Sequence, residues 1–234
     1  MYKKLTEIGL RTKTDKAYFH LFTEFYNDYF ETFLGRPINI LEIGIAEGGS
    51  ILMMREFFPN ATIYAIDINQ KSVNLELGEN IHKYLCSQDD FVTLSNLFSE
   101  IKFDIIIEDG SHLTSHQQTS LGFFFSYLNK GGIYICEDLH TSYKKSYINT
   151  TITTMEMIEN YKLFGTLKTN VLASEQLDYL HKNIVDFKMY ERNENALMCY
   201  NCSKSNILKV DNCVSCKTLL SPLDRSITCI FFHS

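Results

Sequence analysis

The chain has no apolar run of the roughly 18 to 20 residues that a membrane-spanning helix needs. Its opening, MYKKLTEIGLRTKTDK, lacks the apolar centre of a secretory signal. An intracellular, cytoplasmic protein with no membrane partner is therefore expected, its seven cysteines mostly reduced. Seven is also an odd count, which suits a complete disulfide framework poorly. Positive charge is not in surplus. The formal net charge is −6, and no basic stripe is interleaved with aromatics, which argues against a general binder of nucleic-acid backbones. Internal repeats and low-complexity tracts are absent. What is present is apolar mass: 45% of the 234 residues are hydrophobic, with 17 Phe and 14 Tyr. That suffices for a substantial core, and for one domain or one domain with a small appendage.

The order of segments predicts an α/β protein. DKAYFHLFTEFYNDYFETFL, residues 15 to 34, has the spacing of one amphipathic helix, stopped by Gly35 and Pro37. INILEIGI (38 to 45), ATIYAIDI (61 to 68), IHKYLC (81 to 86), FDIIIED (103 to 109) and GIYICED (132 to 138) read as strands. Helices are expected between them: GGSILMMREFF, a short one within 69 to 78, DDFVTLSNLFSEI with Asp89 or Ser87 near its start, and 113 to 128 ahead of an NKGG turn. This alternation predicts a Rossmann-like, doubly wound, mostly parallel sheet. Beyond Asp138 the rhythm changes. HTSYKKSYINTT reads as a loop, and 151 to 164 and 174 to 182 as helices. IVDFKMYER and NALMCYN read as an antiparallel hairpin, while 202 to 234 finds no clear place in the sheet. The expected division is a main domain over 1–201 and a short cysteine-containing extension over 202–234.

Two sets of residues carry chemistry. LEIGIAEGGS joins the first strand to its helix through Gly44, Gly48 and Gly49, which let backbone pass close to a ligand at the carboxyl edge of the sheet. Asp67 ends the second strand, about 20 residues on, where an acidic side chain can accept hydrogen bonds from ribose hydroxyls. Together these point to a nucleoside-bearing ligand; the alternative is a bare turn with glycines for packing. At the same edge Asp109 ends the fourth strand, and Glu137 and Asp138 end the fifth. Three carboxylates there repel unless a cation joins them, and oxygen ligands suit Mg²⁺ or a similar hard divalent ion. His112, three residues past Asp109, can serve as general base. Asp138 could instead cap the following turn. Glu108 is expected on the far side of its strand or paired locally. His116 could form a zinc pair with His112, but a surface or supporting role is favoured. His140 and Tyr143 could line an acceptor pocket or lie in a loop.

LEIGIAEGGS, AIDI and IIEDGSH resemble the class I S-adenosylmethionine-dependent methyltransferases. TKTDKAYFHLFTEFY, FPNATIYAIDI, EDGSHLTSHQQTS and GGIYICEDLHTSY, in this order, resemble more closely the metal-dependent sugar O-methyltransferases of macrolide biosynthesis, the mycinamicin type, and related glycan enzymes. The resemblance covers about residues 10 to 145. It implies S-adenosyl-L-methionine as donor, with Glu42 and Gly44 under its methionine part, Asp67 on the ribose and Gln88 near adenine, although Ser87 replaces the family's usual acid. Thr14, Asp15, Lys16 and His20 match the element that folds over the donor. It gives Asp109, Glu137 and Asp138 the cation, Asp109 standing also beside the donor, and His112 the role of base. The acceptor it implies is a sugar hydroxyl or a glycosylated small molecule; an oligomer is compatible with it. The rival expectations are a nucleic-acid or cap methyltransferase, disfavoured by the charge, and a non-catalytic binding module on the same fold.

Cys199, Cys202, Cys213 and Cys216 form C-x2-C-x10-C-x2-C, which suits a structural zinc ion; reduced, unligated cysteines are the alternative. Cys86, Cys136 and Cys229 read as buried apolar residues.

Overall fold

The structure, a computed structural model, describes residues 3–192, 197–198, 205–206, 215–217 and 226–234. Helix α1 (Lys4–Arg11) is followed by the short α2 (Asp15–Tyr18) and by α3 (Phe22–Phe30), then the first strand, β1 (Asn39–Ile43). Next come α4 (Gly49–Phe57), β2 (Thr62–Asp67), α5 (Gln70–Val73), β3 (Ile81–Leu85), α6 (Phe91–Phe98) and β4 (Phe103–Glu108). Helix α7 (Thr114–Phe124), β5 (Leu128–Cys136), α8 (Thr154–Phe164), α9 (Ser174–Asn183) and β6 (Ile184–Glu191) complete the larger part. The two-residue strands β7 (Leu197–Met198) and β8 (Ser205–Asn206) pair with each other, and β9 (Ile227–His233) closes the order.

Seven strands form one sheet in the order β3-β2-β1-β4-β5-β9-β6. The first five run parallel, and β9 is antiparallel to both β5 and β6. β1 and β4 are neighbours although β2 and β3 lie between them in the chain, so the connections diverge there and leave a crevice at the carboxyl ends. The near-continuous apolar strands are explained by cover on both faces. Ile40, Ile63, Ile105, Ile107, Ile133 and Ile230 pack under α1, α3 and α4. Leu41, Ile66, Ile106, Tyr134 and Phe231 face Phe98, Phe124 and Ile158 on the other side.

Four expectations are corrected. The helix expected over 15 to 34 is broken: Leu21 adopts a left-handed backbone (φ 58°) between α2 and α3. Apolar spacing runs straight through such a break and does not reveal it. The start of α6 is capped by Asp90, whose carboxylate accepts from the Thr93 N–H, rather than by Asp89 or Ser87. The NKGG turn falls within β5, at a register shift against β4. The largest correction concerns the antiparallel pair. β6 pairs with β9, Phe187 opposite Phe231, and not with Leu197–Met198, the described part of NALMCYN, which pairs with β8. Residues 227–233 thus lie inside the sheet of the main domain, where the boundary at 201/202 would have excluded them.

Candidate functional site

The crevice is built by turns that end β1, β2, β4 and β5. Gly44 has φ 100° and its backbone passes so close to β4 that a Cβ would stand 2.1 Å from the Asp109 carbonyl oxygen. Only glycine fits there. Gly48 begins α4 in a left-handed conformation against Leu77, away from the lining of either cavity described next.

Two cavities meet at Gly44. One, about 150 Å³, is lined by Ile43, Asp67, Ile68, Ser87, Gln88, Ser111 and His116, among others. The other, about 140 Å³, is lined by Thr14, Asp15, Lys16, Glu42, Ser50 and Asp109, among others. Asp67 is fixed by three backbone donors, the N–H groups of Ile45 (2.8 Å), Ala46 (3.2 Å) and Asn69 (2.7 Å). Gln88 is buried; its amide donates to Glu108 Oε1 (2.8 Å) and Ser120 Oγ (3.1 Å), and its oxygen accepts from the Ser111 N–H (2.8 Å). Glu108 is therefore paired locally, and Cys136 Sγ donates to its other oxygen at 3.4 Å.

The second cavity borders a buried charge cluster. Lys16 Nζ donates to Glu137 Oε2 at 2.9 Å and to Asp109 Oδ2, and lies 3.7 Å from Glu42 Oε1. Burial lowers the Lys16 pKa, but Asp109, Glu137 and Glu42 more than offset it, and the net displacement is upward. Glu42 is pushed up to about 7, by burial first and against the pull of Lys16. Glu137 is raised by burial and by Asp109, although Lys16 opposes the shift.

Beyond Asp109, the imidazole of His112 lies 4.0 Å from Asp109 Oδ1 through Nδ1 and 3.7 Å from Asp138 Oδ2 through Nε2. Asp109, His112 and Asp138 each offer a donor atom within 4.8 Å of the others. His112 (φ 60°) and Asp138 (φ 53°) both adopt left-handed backbone, which costs a non-glycine residue about 1–3 kcal/mol. Asp138 thus begins a 3₁₀ turn, yet no side-chain cap bond forms; its carboxylate faces the histidines instead. Burial, then Asp109, pushes its pKa up to about 8.

The break after α2 turns His20 toward Asp138 (3.5 Å) and into a hydrogen bond with Ser226 Oγ (2.9 Å), beside His140. Burial lowers its pKa to about 3, so it is neutral. His20 thus stands with the carboxylates and does not line either cavity. His140 is buried 3.8 Å from Asp138, whereas Tyr143 is 58% exposed. His116 does not join His112: its Nδ1 bonds Ser111 Oγ (2.8 Å) and its Nε2 lies 3.4 Å from Asp89. Its place in the wall of the first cavity, and that of Ile68, 75% exposed at the rim, went unread in the sequence. The signals were weak: one turn beyond His112, and one residue beyond Asp67.

Of the tail cysteines, Cys199, Cys202 and Cys213 lie outside the described residues, and neither the geometry nor the comparisons below lend the zinc reading support. Cys86, Cys136 and Cys229 are buried. Among the described residues, no helix is long and apolar enough to cross a membrane.

No protein-family model matches the chain. Curated relatives do. The 8-demethyl-8-alpha-L-rhamnosyl tetracenomycin-C 2'-O-methyltransferase of Streptomyces olivaceus is 36% identical over 147 residues, 59% of this chain and 38% of that protein. Mycinamicin VI 2''-O-methyltransferase of Micromonospora griseorubida is 35% identical over 148 residues, 59% of this chain and 37% of that protein. Among solved structures, the MycE methyltransferase of the mycinamycin biosynthetic pathway, in complex with Mg, SAH and mycinamycin VI, superposes with a TM-score of 0.68 at 29% identity. That match covers 81% of this chain and 52% of the other. The chain therefore spans about half the length of the solved relative and less of the curated ones.

Proposed function

We propose that this chain, a homologue of sugar O-methyltransferases with their Rossmann-like fold, transfers a methyl group from S-adenosylmethionine to a hydroxyl of a sugar or glycosylated small molecule, aided by Mg²⁺ or a similar divalent cation. The observation that carries the reading is the meeting, at Gly44, of two cavities, the second of them lined by Asp109, with the cluster of Asp109, His112 and Asp138.

In this reading the first cavity holds adenosine. Asp67 is aimed by its three backbone donors toward the ribose, Gln88 closes the base end, and exposed Ile68 supplies an apolar face. The second cavity takes the methionine part, over Gly44 and beside Glu42 and Lys16.

The residues present fit a hard cation. Glu137 Oε1 and Asp138 Oδ1 are buried oxygens that accept no hydrogen bond, and such oxygens gain most from a metal ligand role. Asp109, Glu137 and Asp138 would hold the ion; His112 is close enough to reach it as well. Bound there, the ion would supply Lewis-acid chemistry, lowering the pKa of an acceptor hydroxyl. His112 receives the hydroxyl proton as the new C–O bond forms and the donor's C–S bond breaks. The left-handed turns at His112 and Asp138 point both groups at one place, which supplies the alignment that methyl transfer needs.

Calorimetric titration of the purified protein with S-adenosylhomocysteine, Mg²⁺ present, tests the reading. Micromolar binding is expected, followed by turnover of glycosylated acceptors. Folded protein that binds no S-adenosylhomocysteine would refute it and favour a non-catalytic module.

A further inference from the structure

One ammonium spans both halves of the site. Lys16 is 1% exposed, and its Nζ touches Asp109 and Glu137 on the cation side and lies 3.7 Å from Glu42 on the donor side. Lys16 and Asp109 both line the second cavity. The segment that carries Lys16 arrives from far along the chain: 93 residues separate it from Asp109 and 121 from Glu137. A buried ammonium in such surroundings is the counter-charge that lets these carboxylates be buried at all.

A divalent cation on Asp109 and Asp138 would stand beside that ammonium, and like charges at such a distance in a site sheltered from water repel strongly. The ammonium must then leave Asp109. In the adjoining cavity Glu42 already stands 3.7 Å from Nζ, and a ligand carboxylate there would be a second partner; the amino-acid end of S-adenosylmethionine carries one.

We infer that Lys16 is a positioning residue shared between the two ligands: it pairs with Asp109 and Glu137 when no cation is bound, and turns to the donor's carboxylate when the cation arrives. The inference rests on the methyltransferase reading above. It requires that donor and cation bind with positive cooperativity, and coupling of this kind is reciprocal: each tightens the other by the same factor.

The test is calorimetric and needs no turnover. S-adenosylhomocysteine should bind about tenfold more tightly to the wild-type protein at saturating Mg²⁺ than with chelator, and Mg²⁺ should gain equally from S-adenosylhomocysteine. Adenosine, which lacks the amino-acid end, should bind with the same affinity in both conditions. Lys16→Met should lose the coupling, and Lys16→Arg should keep part of it. Binding of S-adenosylhomocysteine that ignores Mg²⁺, an equal gain for adenosine, or full coupling in folded Lys16→Met would each overturn the inference alone. No binding of S-adenosylhomocysteine at all would overturn the methyltransferase reading, and this inference with it. If Lys16→Met does not fold, the wild-type comparison of S-adenosylhomocysteine with adenosine decides.

Discussion

Two residues make the sharpest predictions. His112 faces Asp109 and Asp138 and has no part in either cavity wall, so His112→Ala should lower methyl transfer by about 10²- to 10⁴-fold and leave the affinity for S-adenosylhomocysteine unchanged. Turnover assays and calorimetry on the same preparation check both halves, and undiminished turnover would remove His112 as the base. Glu42 governs a pH effect. Its pKa in the fold is about 7, against 4.5 for a free glutamate, so between those values the folded protein holds a proton that the unfolded chain has released. Its contribution to stability is therefore fully present below about pH 4.5 and is lost as the pH rises through about 7. Thermal melting across this range should show the decline, and Glu42→Gln should remove the part due to Glu42, leaving that of Asp138, whose pKa is pushed up to about 8. Asp109, His112, Glu137 and Asp138 were legible in the sequence because each sits at or just past the end of an apolar strand, and a strand's end has a defined place in a parallel sheet. The ion pairs of Lys16 were not. They join α2 to the ends of β4 and β5, 93 and 121 residues along the chain, and nothing local encodes such pairs.

At the scale of elements, strands β1, β2, β4 and β5 could be read directly, since burial on both faces makes each a near-continuous apolar run, whereas the partly exposed edge strand β3, IHKYL, gives a weaker signal. β9 could not be placed. ITCIFFH is as apolar as the others, but its partner β5 lies some 90 residues earlier, and its other partner, β6, reads in the sequence as paired with a nearer segment. Pairing is decided by which edges remain open, a property of the assembled sheet. The cross-strand contacts show how firmly β9 is held. Phe231 is fully buried between Tyr134 and Phe187, and Thr228 donates to the Cys136 carbonyl at 3.0 Å while bonding the Tyr26 hydroxyl at 2.8 Å. Phe231→Ala should cost about 3–5 kcal/mol, measured by denaturant unfolding. A loss below about 1 kcal/mol would mean that β9 adds little to the core.

For the whole molecule, charge balance is the governing quantity. Glu42, Glu137 and Lys16 are buried together, with the half-buried Asp109 and Asp138 at their edge, so carboxylates outnumber ammonium groups at the heart of the crevice. Removing divalent ions with a chelator should therefore lower both activity and melting temperature. Mg²⁺ should restore both, whereas sodium chloride at matched ionic strength should not, since buried charges are little screened by salt. Equal melting curves with and without Mg²⁺ would count against a cation at these carboxylates.

The position of β9 also sets a timetable. A ribosome releases β5 and β6 before residues 227–233 exist, and the intervening stretch takes on the order of seconds to synthesise. Through that interval β5 carries an unpaired edge and β6 lacks its one strand partner in the sheet, both open to any extended segment that reaches them first. Newly made copies should be far more prone to stick to one another than finished ones, and slower translation between codons 191 and 227 should lengthen the hazard.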